Sequence, residues 1–227
     1  MKINKSLYPF LVVAILDLAC RLLQVDELLG ITKSLLMPSL FFFVYKTCPS
    51  SLLKQFLLMA IGLSFLGDVL LLFMDNEKFF LLGLGCFLVV HLLYAFIFFN
   101  ANEEAERKMK LQWQDSLFII YGLIIFSILK GNLGTMYVPA LLYTVVICLM
   151  GLTARKRWKK TSYDSFWLVM IGATLFIISD TILALDKFYV SFAVADFLIM
   201  FTYILAQGLI ALGLISFIQK IRPEAGS

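Results

Sequence analysis

The sequence predicts an all-α, polytopic transmembrane helix bundle of about eight helices, and three observations predict it. Hydrophobic residues make up 62% of the 227 residues and charged residues only 15%, against roughly 45 to 50% and about 25% in soluble domains. Mean hydropathy is +0.95. The apolar residues also fall in repeated runs near the roughly 20 residues that an α-helix needs to cross a bilayer. These runs lack the period-2 alternation of membrane strands, so a barrel is excluded. One helical membrane domain over residues 1–227 is expected.

Taken in order, the first span is predicted from Leu7 to Gln24. Lys2 and Lys5 before an apolar run resemble a signal peptide, but Asp17 and Arg21 interrupt the run and no A-x-A site follows, so it reads as a helix. The second span, Ile31 to Tyr45, is short unless Lys33 lies within it. Leu52 to Met74 carries Asp68, and Phe79 to Phe99 carries the sole histidine, His91. Ser116 to Lys130 and Met136 to Thr153 are the fifth and sixth spans. Phe166 to Leu185 carries Asp180, and Tyr189 to Phe217 closes the series. Connections are short, and only Asn100 to Asp115 and Ala154 to Ser165 are clearly polar. The chemistry must therefore take place inside the bundle.

The formal charge of +4 does not point to nucleic acid. Basic residues cluster at Lys2 and Lys5, Lys46 and Lys54, Arg107 to Lys110, Arg155 to Lys160, and Lys220 with Arg222. These are alternate connections, and loop cations favour the cytoplasmic side, so both termini are expected there, in a bacterial inner membrane. The opposite connections carry only Lys33, Lys78, Lys130 and Lys187. Cys20, Cys48, Cys86 and Cys148 are far apart, without a CxxC, so free thiols are expected rather than disulfides or structural zinc. No metal and no cofactor is expected.

An ionisable group in hydrocarbon costs at least about 2.5 to 3.5 kcal/mol, so such residues face the bundle interior and mark function. Asp68 and Asp180 each lie inside a span, about 10 Å from an end marked by Asp75 or Asp186 at 1.5 Å per residue. They are the expected catalytic pair, with helix-to-helix hydrogen bonding as the alternative. His91 and Tyr94, three apart, share a helix face, either as acid or base or as partners orienting an aspartate. Asp17 and Arg21, four apart, suit a scaffolding ion pair. Lys33 either snorkels to the interface or meets an anionic headgroup. In the last span Asp196, Tyr203 and Gln207 fall on one face, a polar stripe expected towards the interior.

A weak internal repeat pairs Met37-Pro38-Ser39-Leu40 with Val138-Pro139-Ala140-Leu141, Gly67-Asp68 with Ser179-Asp180, and Phe87-Leu88 with Phe197-Leu198. It fits a parallel four-plus-four duplication. There is no G-x-S-x-G, no H-E-x-x-H and no P-loop, which removes serine-hydrolase, zincin and nucleotide-driven readings.

Lys33 to Pro38, Gly67-Asp68, His91-x-x-Tyr94, Gly172-Ala173-x-x-Phe176-x-x-Ser179-Asp180 and Thr202-Tyr203-x-x-Ala206-Gln207 together resemble the YhhN-like lysoplasmalogenase family, from the second helix to the last. Lys33-Ser34 stands where that family typically has Lys-Pro, a departure that touches helix geometry and not the aspartates. The resemblance implies hydrolysis of the vinyl ether of lysoplasmalogens, with membrane lipid as surroundings, to a fatty aldehyde and glycerophosphoethanolamine or glycerophosphocholine. It implies Asp68 and Asp180 as acid and base, and His91, Tyr94, Ser179, Tyr203 and Gln207 as orienting groups. Lys33 and Arg21 would meet the phosphate. The competing reading is a proton-coupled transporter or lipid flippase, since carriers also bury aspartates in repeats. An intramembrane aspartyl protease would require Tyr-Asp and Gly-x-Gly-Asp motifs, which Phe65-Leu66-Gly67-Asp68 and Ser179-Asp180 match poorly.

Overall fold

The structure, a computed structural model, describes residues 5–103 and 112–221. Lys2, Arg107, Lys108, Lys110 and Arg222 of the charge argument lie outside the described residues. Those residues form eight α-helices and no strand: α1 (Tyr8–Leu22), α2 (Asp26–Thr47), α3 (Leu52–Leu71), α4 (Glu77–Asn100), α5 (Ser116–Leu129), α6 (Tyr137–Arg155), α7 (Tyr163–Phe188) and α8 (Ala195–Ile221). Six helices are long and apolar enough to cross a membrane, and the chain is a multi-pass integral membrane protein. The remaining two, α1 with 15 residues and α5 with 14, fall short of the roughly 20 residues of a full crossing.

The boundaries differ from the hydropathy reading where polar residues continue a helix. α2 begins at Asp26, placing Lys33 well inside it, because Asp26 and Glu27 suit the positive N-terminal end of the helix dipole. α7 likewise starts at Tyr163, after Ser162 caps the Ser165 amide. α8 begins six residues later than Tyr189, at Ala195. Asp196 is exposed in its first turn, where a carboxylate is favoured, so the expected interior stripe holds only for buried Tyr203 and Gln207. Pro38 sits in the middle of α2, whereas Pro139 lies in the first turn of α6. The two prolines matched by the repeat thus hold different helix positions.

The helices divide into two compact units. The first comprises the described residues up to Ile97 and those from Leu214 onward. Here α2 packs between α1 and α3, and Leu36, Met37, Leu40, Val44, Leu57, Ala60 and Ile61 are fully buried. α3 and α4 meet where side chains are missing: a Cβ on Gly67 would lie 2.8 Å from the ring of Phe87. The second unit is Phe98–Gly213. In it α6 packs against both α5 and α7, and α7 approaches α8 at Gly172, where a Cβ would stand 2.9 Å from the Ala206 carbonyl oxygen and 3.0 Å from the Ile210 nitrogen. Backbone atoms cannot swing aside. Gly172→Ala is therefore expected to destabilise the protein by about 1 to 3 kcal/mol, read as a lower unfolding midpoint in detergent. An unchanged midpoint would refute this close approach.

Outward faces are apolar, as lipid requires: Ile119, Ile120, Leu123 and Ile124 of α5 and Leu141, Leu142 and Val145 of α6 are all exposed. Where the second unit meets water, Trp158 packs edge-on to Phe166 and Trp167, and Tyr163 to Trp167, the amphipathic rings found at membrane interfaces. The cations beside them are more than topology signals. Arg155 Nε donates to Asp115 Oδ1 at 2.5 Å, and Lys156 Nζ donates to the other oxygen. Arg157 is 1% exposed. Its Nε donates to the Ala101 carbonyl at 3.0 Å and its terminal nitrogens to the Ser165 carbonyl and hydroxyl at 3.2 and 2.8 Å. Ser165 in turn donates to the Gly213 carbonyl at 2.7 Å.

Desolvation pushes the Asp115 carboxyl up, but the hydrogen bonds from Arg155, Lys156 and the Gln112 amide outweigh it and hold the group down at about 2. A carboxyl lowered on folding stabilises above its unfolded value near 4, and that stabilisation is lost as pH falls through the folded value. The unfolding midpoint should therefore drop between about pH 4 and pH 2. Asp115→Asn should flatten that part of the curve. An unaltered acid slope in this variant would show that other carboxylates govern it.

Candidate functional site

In the first unit Asp68 is 2% exposed on α3, one residue after the Gly67 contact. Phe87, whose ring covers Gly67, also accepts through its carbonyl from His91 Nδ1 at 2.6 Å. A carbonyl only accepts, so this contact fixes the imidazole proton on Nδ1, and the lone pair of the neutral ring sits on Nε2. His91 and Tyr94 are both buried, at 1% and 0% exposure. Phe87 thus ties the Asp68 turn of α3 to the His91 turn of α4.

The Asp17–Arg21 pair forms as its spacing predicts, with Arg21 Nε donating to Asp17 Oδ2 at 2.8 Å. Sequence reasoning did not find the third member, Thr32, whose hydroxyl donates to Asp17 Oδ1 at 2.7 Å. The buried carboxylate is thereby served on both oxygens, as a charge away from water requires. Thr32 precedes Lys33, so the network pins the half-buried turn of α2 that carries Lys33.

In the second unit Asp180 is half-buried on α7. Its Oδ2 accepts from the hydroxyl of Tyr143, on α6, at 2.5 Å. Tyr121 of α5 is hydrogen-bonded to Thr181, the next residue along α7, and both tyrosines feel the Asp180 charge. Tyr203 of α8 is coupled to Tyr143 and packs edge-on to Phe176, ring centroids 5.5 Å apart. The hydroxyl of Ser179, next to Asp180, donates to the Ile199 carbonyl of α8 at 3.0 Å. Gln207 is fully buried on α8.

Tyr143 and Tyr121 escaped the sequence reading. The available signal was a tyrosine beside threonine amid aliphatics, Leu142-Tyr143-Thr144, since a buried phenol needs a hydrogen-bond partner. All four cysteines are free, as expected from their spacing.

The sequence profile of the YhhN family matches residues 30–214 of the chain. Lysoplasmalogenase TMEM86A of Bos taurus is 34% identical over 158 residues, which cover 67% of this chain and 62% of the bovine protein. The match thus spans less than two thirds of that relative's length. No solved structure matches.

Proposed function

The chain belongs to the YhhN family, and from that premise we propose that it is a lysoplasmalogenase, hydrolysing the vinyl ether of alkenyl-glycerophosphoethanolamine or alkenyl-glycerophosphocholine to a fatty aldehyde and the glycerophospho-alcohol. The observation that carries the reading is the 34% identity to a relative named for that activity. Aspartates embedded in apolar helices supply the chemistry it needs. Asp68 and Asp180 are the acid and base of the reaction, one held protonated and the other ionised. This is the division of labour seen in glycoside hydrolysis.

The cycle begins when the alkene π pair of the substrate takes the proton of the acid at its outer carbon. The acid becomes a carboxylate, and the ether oxygen shares the cationic charge. Water then attacks the carbon bonded to that oxygen and yields its proton to the base, giving a hemiacetal. As the hemiacetal O–H returns its proton to the first carboxylate, C=O forms and the bond to the glycerol oxygen breaks. That oxygen takes the proton from the base. Water has been consumed, and both carboxyl groups are back in their starting states.

His91, Tyr94, Tyr203 and Gln207 orient the carboxyl groups and water, with Ser179 holding the Asp180 turn to α8. Lys33 meets the substrate phosphate, and Arg21 supports it through Asp17 and Thr32. We place the whole chain as one domain of a bacterial inner membrane with both termini cytoplasmic.

Purified protein in detergent, offered alkenyl-lysophospholipid beside acyl-lysophospholipid, should release aldehyde from the first and leave the second intact. Cleavage of the acyl ester alone would refute the reaction class. Substrate movement across a vesicle wall without any aldehyde would identify a carrier instead.

A further inference from the structure

We propose that Tyr143 is a positioning residue that keeps Asp180 in its ionised form, which assigns Asp180 the base role and Asp68 the acid role. The inference rests on the lysoplasmalogenase reading and deepens it. A phenol is a weak acid, so in the short contact between Tyr143 and Asp180 Oδ2 the hydroxyl donates and the carboxylate accepts. Hydrogen bonds donated to a carboxylate favour its charged form, and they are the strong kind. The surroundings agree. Two phenols from neighbouring helices of its unit, Tyr121 and Tyr143, interact with Asp180, and Tyr203 lies close enough to act on Tyr143. Tyr121 is hydrogen-bonded to Thr181, whose hydroxyl donates to the Ile177 carbonyl at 2.7 Å.

The consequence for the cycle is definite. Asp180 takes the proton that water gives up on forming the hemiacetal, and later passes it to the departing glycerol oxygen. Tyr143 keeps its own proton throughout. Asp68 delivers the first proton to the alkene carbon and recovers it from the hemiacetal hydroxyl, so neither carboxyl group ends the cycle changed.

The test is Tyr143→Phe in the full chain, assayed with alkenyl-lysophosphatidylcholine in detergent across pH. Loss of one charge-assisted hydrogen bond should lower kcat about 10- to 100-fold with KM little changed. The acidic limb of kcat should move towards neutrality by about one pH unit. A role in packing alone scales activity down at every pH without moving that limb, and this result would overturn the assignment. Tyr121→Phe, which removes a hydroxyl bonded to Thr181, should leave the limb in place. A second measurement needs no variant of Tyr143: the infrared difference between the wild type and Asp180→Asn at neutral pH should show a carboxylate stretch for residue 180. A protonated carboxyl band would reverse the roles. Should Asp180→Asn retain full activity, the underlying catalytic reading fails. Should that variant be inactive while the Tyr143→Phe limb stays fixed, only the positioning role fails.

Discussion

Asparagine in place of Asp68 or Asp180 is expected to lower aldehyde release by about a thousandfold, within the range that one positioned acid or base contributes. An amide has nearly the shape of a carboxyl but cannot exchange a proton at the required moment. Folding should therefore survive while turnover is lost. For Asp68→Asn the buried position keeps a hydrogen-bonding group, so the unfolding midpoint in detergent should stay close to that of the wild type. The assay is aldehyde formation by monodisperse protein. Wild-type turnover in either variant would remove that residue from the mechanism. If proton delivery to carbon limits the rate, turnover should also slow in deuterated water, whereas equal rates would make product release the slow step.

The second large effect concerns stability. Arg157 is almost wholly buried, and burial pushes its guanidinium down to about 9, so it stays cationic at neutral pH. Arg157→Ala would strip the donor from the Ala101 carbonyl and a second donor from the helical Ser165 carbonyl, and leave a void. An unsatisfied buried acceptor costs about 1 to 3 kcal/mol, and the void adds to this, so a total loss of about 3 to 5 kcal/mol is expected. Thermal unfolding in detergent should shift by roughly 10 °C. Arg157→Lys should restore only part of the loss, because a single ammonium cannot reproduce the planar fork. A wild-type midpoint for the alanine variant would mean that the carbonyls find water instead.

Most of the helical framework was readable along the chain because hydropathy is a local property. A run such as Phe79 to Phe99 declares a helix without help from its neighbours. Asp17 and Arg21 were readable for the same reason, since four residues make one helical turn. What escaped is non-local. Thr32 reaches Asp17 across 15 positions and Tyr143 reaches Asp180 across 37, and no periodicity encodes either meeting. Arg157 counts in the sequence as one of the loop cations that set topology, yet its guanidinium turns inward to carbonyls 56 and 8 residues away. Of the catalytic proposal, the sequence yielded the aspartates through their incongruity in apolar surroundings, and the phenol beside one of them required the fold.

The shortness of α5 bears on the lipid around it. Fourteen residues at 1.5 Å each make about 21 Å, and the 3-10 turn Trp113–Asp115 that leads into α5 adds about 6 Å, against about 30 Å of hydrocarbon. If this run crosses, the remaining few Å are met by local thinning of the bilayer, at fractions of a kcal/mol per Å. Thin, compliant membranes would then suit α5 slightly better than long-tailed, stiff ones.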